Sequence, residues 1–214
     1  NLYNWAEPIL HPELPELIRI VKRRRVRCNM SSNLNLLRNP EGIFAANPDW
    51  FRISLSGFTQ ETYGRTHAGG KIEKVKENMR RLSEAKRTVG NRSTRIEVYY
   101  HKYRNNLHEV EPMRAYAQSL GFEFRETWAY LMPVEKAIQA AEGTLSEPDR
   151  SFVEKEFALP IVDAIQAARK FRSQPCRLLS DQIVLDLQGN LILCCGVYDF
   201  KKNGLGSFLK MTPA

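Results

Sequence analysis

The sequence predicts an α/β fold, an incomplete parallel (βα) barrel of the TIM type, followed by a small module built on a β-hairpin. Three observations predict it. Stretches of period-two alternation, suited to strands, take turns with stretches of helical period over residues 1–130. The connections between strands run to roughly 15 to 40 residues and are mostly helical, which a parallel crossover needs and a hairpin does not. Each central strand also carries one polar face, whereas strands of a doubly wound sheet, covered on both sides, read as nearly continuous apolar runs.

Taken in order, Leu2 to Glu7 reads as a first short strand, and Leu14, Leu17, Ile18 and Val21 fall at helical spacing within Pro12 to Arg25. Val26 to Ser32 is a second strand. Leu34 to Ala46 is a helical or turn region broken by Pro40 and Gly42, and Trp50 to Ser56 is a third strand ending at Gly57. Thr59 to Arg87 includes a long amphipathic helix with Ile72, Val75, Met79 and Leu82 on one stripe, and Arg95 to His101 is a fourth strand. Asn106 and Glu109 have the spacing of a capping box. The helix that follows turns Val110, Met113, Ala117 and Leu120 inward and stops at Gly121, before a fifth strand from Phe122 to Ala129. Ser151 to Phe171, with Phe157, Ile161, Ile165 and Ala168, reads as a last barrel helix kinked at Pro160. These elements set the expected division at residues 1–172 for the barrel and 173–214 for the module.

The alternation separates two faces. Val26, Cys28 and Met30 alternate with Arg27, Asn29 and Ser31; Ile53 and Leu55 with Arg52, Ser54 and Ser56; Ile96 and Val98 with Glu97, Tyr99 and His101. If the apolar face meets the helices, the polar face lines a wet or ligand-filled concavity, because an unpaired buried polar group costs about 1–3 kcal/mol. A half-solvated antiparallel sheet is the competing arrangement. On the same pattern Cys28 is a core thiol, and Glu97, Tyr99 and His101 are candidates for a substrate pocket.

The chain has 214 residues, 32 Lys plus Arg against 24 Asp plus Glu, and a formal charge of +8, which could serve an anionic partner. Its densest cluster, Lys22 to Arg25, sits at an expected helix end, where cations suit the dipole, and no base-reading module accompanies it, so nucleic acid is disfavoured. No apolar run approaches the ~20 residues of a spanning helix, and the N-terminus lacks signal-peptide order, so a cytoplasmic protein without membrane contact is expected. The sequence starts at Asn1 and stops at Ala214 without an evident terminal element, the pattern of a fragment. Of four cysteines, Cys176, Cys194 and Cys195 fall in the last fifth, which suggests a local metal site.

Three segments then carry a resemblance. Tyr3-Asn4-Trp5-Ala6-Glu7-Pro8 is similar to the Gly-Gly-Glu-Pro segment of radical S-adenosylmethionine enzymes, Met30-Ser31-Ser32-Asn33-Leu34 to their Ser-Thr-Asn-Gly segment, and Ile53-Ser54-Leu55-Ser56-Gly57, with Tyr63-Gly64-Arg65 and Gly69-Gly70 after it, to their Ile-Ser-Leu-Asp-Gly segment. Their order at βα intervals over residues 1–130 matters more than any one of them. The resemblance implies a partial barrel lacking its first βα unit. It would bind S-adenosylmethionine at the open iron of a [4Fe-4S] cluster and cleave it reductively to a 5′-deoxyadenosyl radical for hydrogen abstraction. Glu7 would accept from the methionyl ammonium, while Ser31, Asn33, Ser54 and Ser56 would donate to the carboxylate and ribose. Ala6 stands where the family has Gly, and Ser56 where Asp is common. The family's Cys-x3-Cys-x2-Cys is absent from the chain.

Farther on, twelve residues separate Cys176 from Gly189 and four separate Gly189 from Cys194, resembling the opening of the SPASM or twitch modules that bind auxiliary Fe–S clusters. Ile183 to Leu187 and Leu191 to Leu193 flank Gln188-Gly189-Asn190, a hairpin signal that could bring Cys176 and Cys194 together. Cys195 is either a third ligand or a packed thiol; a zinc site or no metal are the other readings. The reading that gathers most of this is a fragment of a radical S-adenosylmethionine enzyme, inactive alone, whose parent modifies a peptide, protein or small molecule with electrons from a reductant such as flavodoxin or ferredoxin. The alternative is a noncatalytic basic barrel binding RNA or a protein partner.

Overall fold

Helices and strands alternate from the start of the chain in the computed structural model, which describes residues 1–168, 170, 173–176 and 183–211. They run α1 (Leu14–Arg23), β1 (Asn29–Ser32), α2 (Pro40–Ala45), β2 (Trp50–Leu55), α3 (Gln60–Gly64), α4 (Ile72–Thr88), β3 (Arg95–Lys102), α5 (Val110–Ser119) and β4 (Glu123–Trp128). Local chemistry accounts for the helix ends. In α1, Pro15 occupies the first turn, where its missing N–H costs nothing, and Lys22 and Arg23 lie in the last, favoured by the dipole. In α3 the Thr59 hydroxyl accepts from Thr62 N, and α2 is capped likewise by Asn39 through Gly42 N.

The strands pair in parallel in the order β1-β2-β3-β4, the sequential order of a βα barrel rather than one that reverses at a switch point. Four strands leave the barrel partial. In register, Met30, Phe51, Val98 and Phe124 are cross-strand neighbours or near neighbours on one face, and Ser31, Arg52 and Glu97 form a row on the other. The apolar face carries Met30, Phe51, Ile53, Leu55, Ile96, Val98 and Tyr100 into a core shared with Ile18, Ile43, Phe44, Val75, Met79, Leu82, Val110, Met113 and Ala117 from the helices. Each large side chain so buried contributes about 1.5–3 kcal/mol. The polar row therefore faces away from the helices, as the alternation requires.

The chain divides into two compact units, Asn1–Ala129 and Tyr130–Ala214, so compactness places the break ahead of the 172/173 boundary expected from sequence. In the second unit, α6 (Val134–Glu142) closes at Gly143 in the left-handed region, followed by α7 (Glu147–Glu156) and α8 (Ile161–Ala168). The hairpin β5 (Val184–Leu185) and β6 (Asn190–Ile192) turns through Gly189 at φ +76°, and β7 (Gly204–Ser207) adds a third antiparallel strand. Val184, Ile192 and Val197 form its small core, with Val134, Cys194, Cys195 and Phe200 packed against them.

Several expectations are corrected. Leu2 to Glu7 is not a strand; one backbone bond, Leu2 N to Asn29 O at 2.8 Å, lays its start beside β1. The second strand begins only at Asn29, so Val26 is exposed rather than inward. Asn106 and Glu109 form no capping box, because both side chains are drawn to the loop after β2. Residues 157–160 separate α7 from α8, so Pro160 marks a break, not a kink: proline lacks the N–H that a continuous helix would need there. Residues 169 and 171 of that expected helix lie outside the described residues.

Candidate functional site

The C-terminal ends of β1, β2 and β3 gather polar side chains in two linked groups. The first begins at Glu7. Its Oε1 accepts from Ile9 N at 3.3 Å, and its Oε2 accepts from Asn33 N at 3.0 Å, clipping the segment before α1 to the residue just beyond β1. A carboxylate has about four acceptor positions, so two stay open for a cationic donor. Asn33 Oδ1 accepts from Asn35 N and Asn35 Nδ2, and Asn35 Nδ2 also donates to Tyr63 Oη at 2.9 Å. Gly70 lets this close: a Cβ there would lie 2.8 Å from both Asn35 Oδ1 and a Tyr63 ring carbon. The buried Tyr63 ring stacks on His67 at 4.3 Å between centroids.

The second group starts from His67. Its Nδ1 lies 2.9 Å from Ser56 Oγ and 3.1 Å from Thr66 Oγ1, and the two hydroxyls touch each other. Burial, reinforced by nearby His101, lowers the His67 pKa to about 4. His101 is lowered too, chiefly by burial and also by Arg52, against the opposing effect of its contact with the Leu55 carbonyl. A neutral His101 that donates Nδ1–H to that carbonyl, 3.4 Å away, presents Nε2 as a lone pair. Asn106 locks the frame, donating Nδ2 to Ser56 O at 2.8 Å and His101 O at 2.9 Å. One pH effect follows. A histidine with a depressed folded pKa binds its proton in the unfolded chain first, so its stabilisation is full above about pH 6.5 and falls as pH drops toward 4. Imidazole nitrogen shifts of His67, followed by NMR, should stay those of a neutral ring at pH 5.5; a protonated ring there would refute the assignment.

Among the expected residues, Glu7 and Asn33 are joined directly. Ser31 lies beside Arg52, whose Nε donates to its Oγ at 3.1 Å, and Ser54 is the register partner of Tyr99, with no hydrogen-bond partner for its hydroxyl among the described residues. Glu7 and Asn33 thus form one joined pair, while Ser31 and Ser54 stand on the polar face of β1 and β2. Ser56 is 1 % exposed and its hydroxyl is spent on Thr66 and His67. Glu97, Tyr99 and His101 share the polar face, but Glu97 is 1 % exposed and its Oε2 is taken by Arg95 and Arg125. Cys28 is buried as expected, and burial pushes its thiol pKa up.

The second unit holds the remaining candidates. Cys176, Cys194 and Cys195 are free thiols, Cys176 exposed and the others half-buried. Burial pushes the Cys195 thiol up, followed by its neighbour Cys194 and, more weakly, Cys176. Among the described residues no group of three or more His, Cys, Asp or Glu is placed to hold a metal ion; residues 177–182 lie outside the described set. No helix among the described residues is long and apolar enough to cross a membrane.

Comparison with solved structures adds one finding. Crystal structures of Streptococcus suis SuiB match nearly the whole chain. The structure bound to S-adenosylmethionine superposes with a TM-score of 0.61 at 10% sequence identity, covering 96% of this chain and 51% of that one; another SuiB structure gives 0.54 at 8%, covering 98% and 51%. The likeness is one of fold. The chain spans about half the length of the SuiB chains it matches. A domain of pyruvate-formate lyase-activating enzyme from Bacteroides vulgatus overlaps 57% of this chain and 94% of its own at TM-score 0.38 and 14% identity. No protein-family profile and no curated protein sequence matches the chain.

Sequence reasoning missed the linkers. Asn35 and His67 join the two groups through Tyr63, and Thr66 and Asn106 brace the second, yet an asparagine in a loop and a histidine before a Gly-Gly turn carry no pattern. The one available signal was the crowding of polar residues at the ends of consecutive strands, where barrel ligands bind.

Proposed function

We propose that the chain binds S-adenosylmethionine at the C-terminal end of its parallel sheet, as the cofactor-holding part of a radical S-adenosylmethionine enzyme acting on a peptide, protein or small molecule. The observation that carries this is the Glu7 clip: an acidic side chain fixed by the Asn33 amide just beyond β1, with acceptor positions to spare, at the strand ends where Ser31 and Ser54 mark the polar face. The fold likeness to SuiB bound to S-adenosylmethionine supports the reading.

In it, Glu7 takes the methionyl ammonium, and Asn33 Nδ2, Ser31 and Ser54 donate to the carboxylate and ribose. Ser56 and His67 act from behind, holding the loop after β2 with neutral, hydrogen-bonded side chains. The cofactor, when bound at a [4Fe-4S] cluster and given an electron by a protein such as flavodoxin or ferredoxin, supplies the hydrogen-abstracting chemistry. This chain carries no Cys-x3-Cys-x2-Cys, and its described residues gather no three-ligand metal group, so by itself it should hold the cofactor without cleaving it.

Calorimetric titration tests this. Wild-type chain should bind S-adenosylmethionine saturably, and Glu7→Gln should weaken binding about tenfold, the equivalent of a charge-assisted hydrogen bond worth about 1.5 kcal/mol. Absence of saturable binding, or an unchanged Kd in Glu7→Gln, would overturn it.

A further inference from the structure

On the polar face of the sheet three arginines meet two carboxylates. Arg95 pairs with Glu97 at 2.9 Å and with Glu123 at 2.5 Å, and Arg125 reaches Glu97 at 3.4 Å. Arg52, in the row between Ser31 and Glu97, is left over: among the described residues no carboxylate lies within ion-pair distance of it.

It is nonetheless held. Its Nε donates to Ser31 Oγ, and its guanidinium carbon lies 5.0 Å from the Tyr3 ring centre, 5.7 Å from that of Trp50 and 4.9 Å from that of Tyr99. Rings around a guanidinium remove water from it without neutralising it, and a fixed Nε sets the plane of the fork. Its two terminal nitrogens have no acceptor among the described residues, which leaves a planar donor pair, already ordered, with nothing to bind. The same geometry matches a carboxylate or phosphate edge, and ordering before binding spares the ligand that entropic cost.

We propose that Arg52 is the receptor for an oxyanion group, carboxylate or phosphate, carried by the substrate. This deepens the cofactor reading and rests on it, since it takes the polar face to be the ligand face. Ser54, one donor assigned to the cofactor, follows Arg52 by two residues on the same face, so the anion would be taken about 7 Å from that donor, while Ser31, which accepts from Arg52 Nε, keeps its own O–H to donate. Tyr99 then serves as a wall of that receptor and ties it to β3. Two molecules could bring such a group, the substrate and the carboxylate of S-adenosylmethionine itself, and the experiment separates them.

The Nε–H resonance of Arg52 would be followed by ¹⁵N NMR while the chain is titrated with inorganic phosphate and, separately, with acetate at constant ionic strength, each with and without saturating S-adenosylmethionine. Expected is a saturable shift whose midpoint changes less than about twofold when the cofactor is present. Arg52→Gln should lose phosphate binding, followed through neighbouring backbone amides, while Arg52→Lys, which keeps the charge but not the fork, should keep it about tenfold weaker. Affinity for S-adenosylmethionine in Arg52→Gln should stay within about twofold of wild type, so a failure of the cofactor reading shows separately, as lost cofactor binding with the phosphate response intact. The inference is overturned by the absence of a saturable shift in wild type, by equal phosphate binding in Arg52→Gln, or by competition between phosphate and S-adenosylmethionine, which would give Arg52 to the cofactor.

Discussion

Replacing Glu109 with alanine should lower the stability of the first unit by about 3 kcal/mol, the range of variants that strand several partly buried donors at once. The carboxylate accepts from Phe58 N at 2.6 Å, Thr59 N at 3.2 Å, Thr59 Oγ1 at 2.5 Å and Thr62 Oγ1 at 3.0 Å. Four donors on one residue mean that truncation strands Phe58 N, Thr59 N and the Thr62 hydroxyl together, while Thr59 Oγ1 keeps a second acceptor in Thr62 Oγ1 at 3.3 Å. Burial opposes ionisation of Glu109, but these hydrogen bonds outweigh it and hold its pKa below the usual value. The sign for pH follows. A carboxylate with a depressed folded pKa contributes stability that is present above its unfolded pKa and is lost as pH falls through the folded one, so wild type should lose stability below about pH 4.3. Glu109→Gln should remove part of that acid sensitivity while keeping the side chain's volume. Thermal melts followed by circular dichroism at pH 7 and pH 3.5 read both effects. A drop smaller than about 1 kcal/mol for Glu109→Ala would show that water replaces the carboxylate at little cost.

Gly57→Ala should cost about 3 kcal/mol, for a steric reason with little freedom to relax. A Cβ at Gly57 would stand 2.5 Å from Tyr63 N and 2.7 Å from Tyr63 Cα, closer than such atoms approach, and the neighbour is backbone in α3 rather than a side chain that can swing away. Moving α3 also moves Tyr63, with its bond to Asn35 and its stack on His67, so cofactor affinity should fall together with stability. Gly64→Ala is the internal control. Its nearest neighbour would be Gln60 Nε2 at 3.4 Å, and alanine is the better helix former, so that variant should be neutral or slightly more stable. Urea denaturation of the two variants decides the matter: equal losses would mean that helix propensity, and not the close approach, governs this turn.

What the sequence made legible was whatever repeats. Ile72, Val75, Met79 and Leu82 mark α4 because burial on a helix recurs at its own period, and Arg52, Ser54, Glu97, Tyr99 and His101 mark the polar face because strands recur at two. Buried Asn78 sits in the α4 stripe and shows no sign in the pattern that its amide donates to Leu34 O at 3.0 Å. Single contacts between distant loops are illegible for the same reason. Glu7 and Asn33 were each picked out by segment resemblance, yet that they bond to each other follows only from where the chain turns. Asn106 and Glu109 show the reverse error, since a local capping pattern was present and tertiary partners outcompeted it. Leu2 to Glu7 looked like a strand because its residues suit one, but a single backbone bond to Asn29 is all the pairing it has.

A sheet that stops short of closing leaves two borders where a stray chain could dock by main-chain pairing. Here the first, β1, is only four residues long, and the last, β4, interleaves Glu123, Arg125 and Glu126 along its length. Brevity at one border and charge at the other both discourage unwanted strand addition. Both devices belong to the outermost strands, apart from the middle pair, β2 and β3, whose polar face carries Arg52, Ser54, Glu97, Tyr99 and His101.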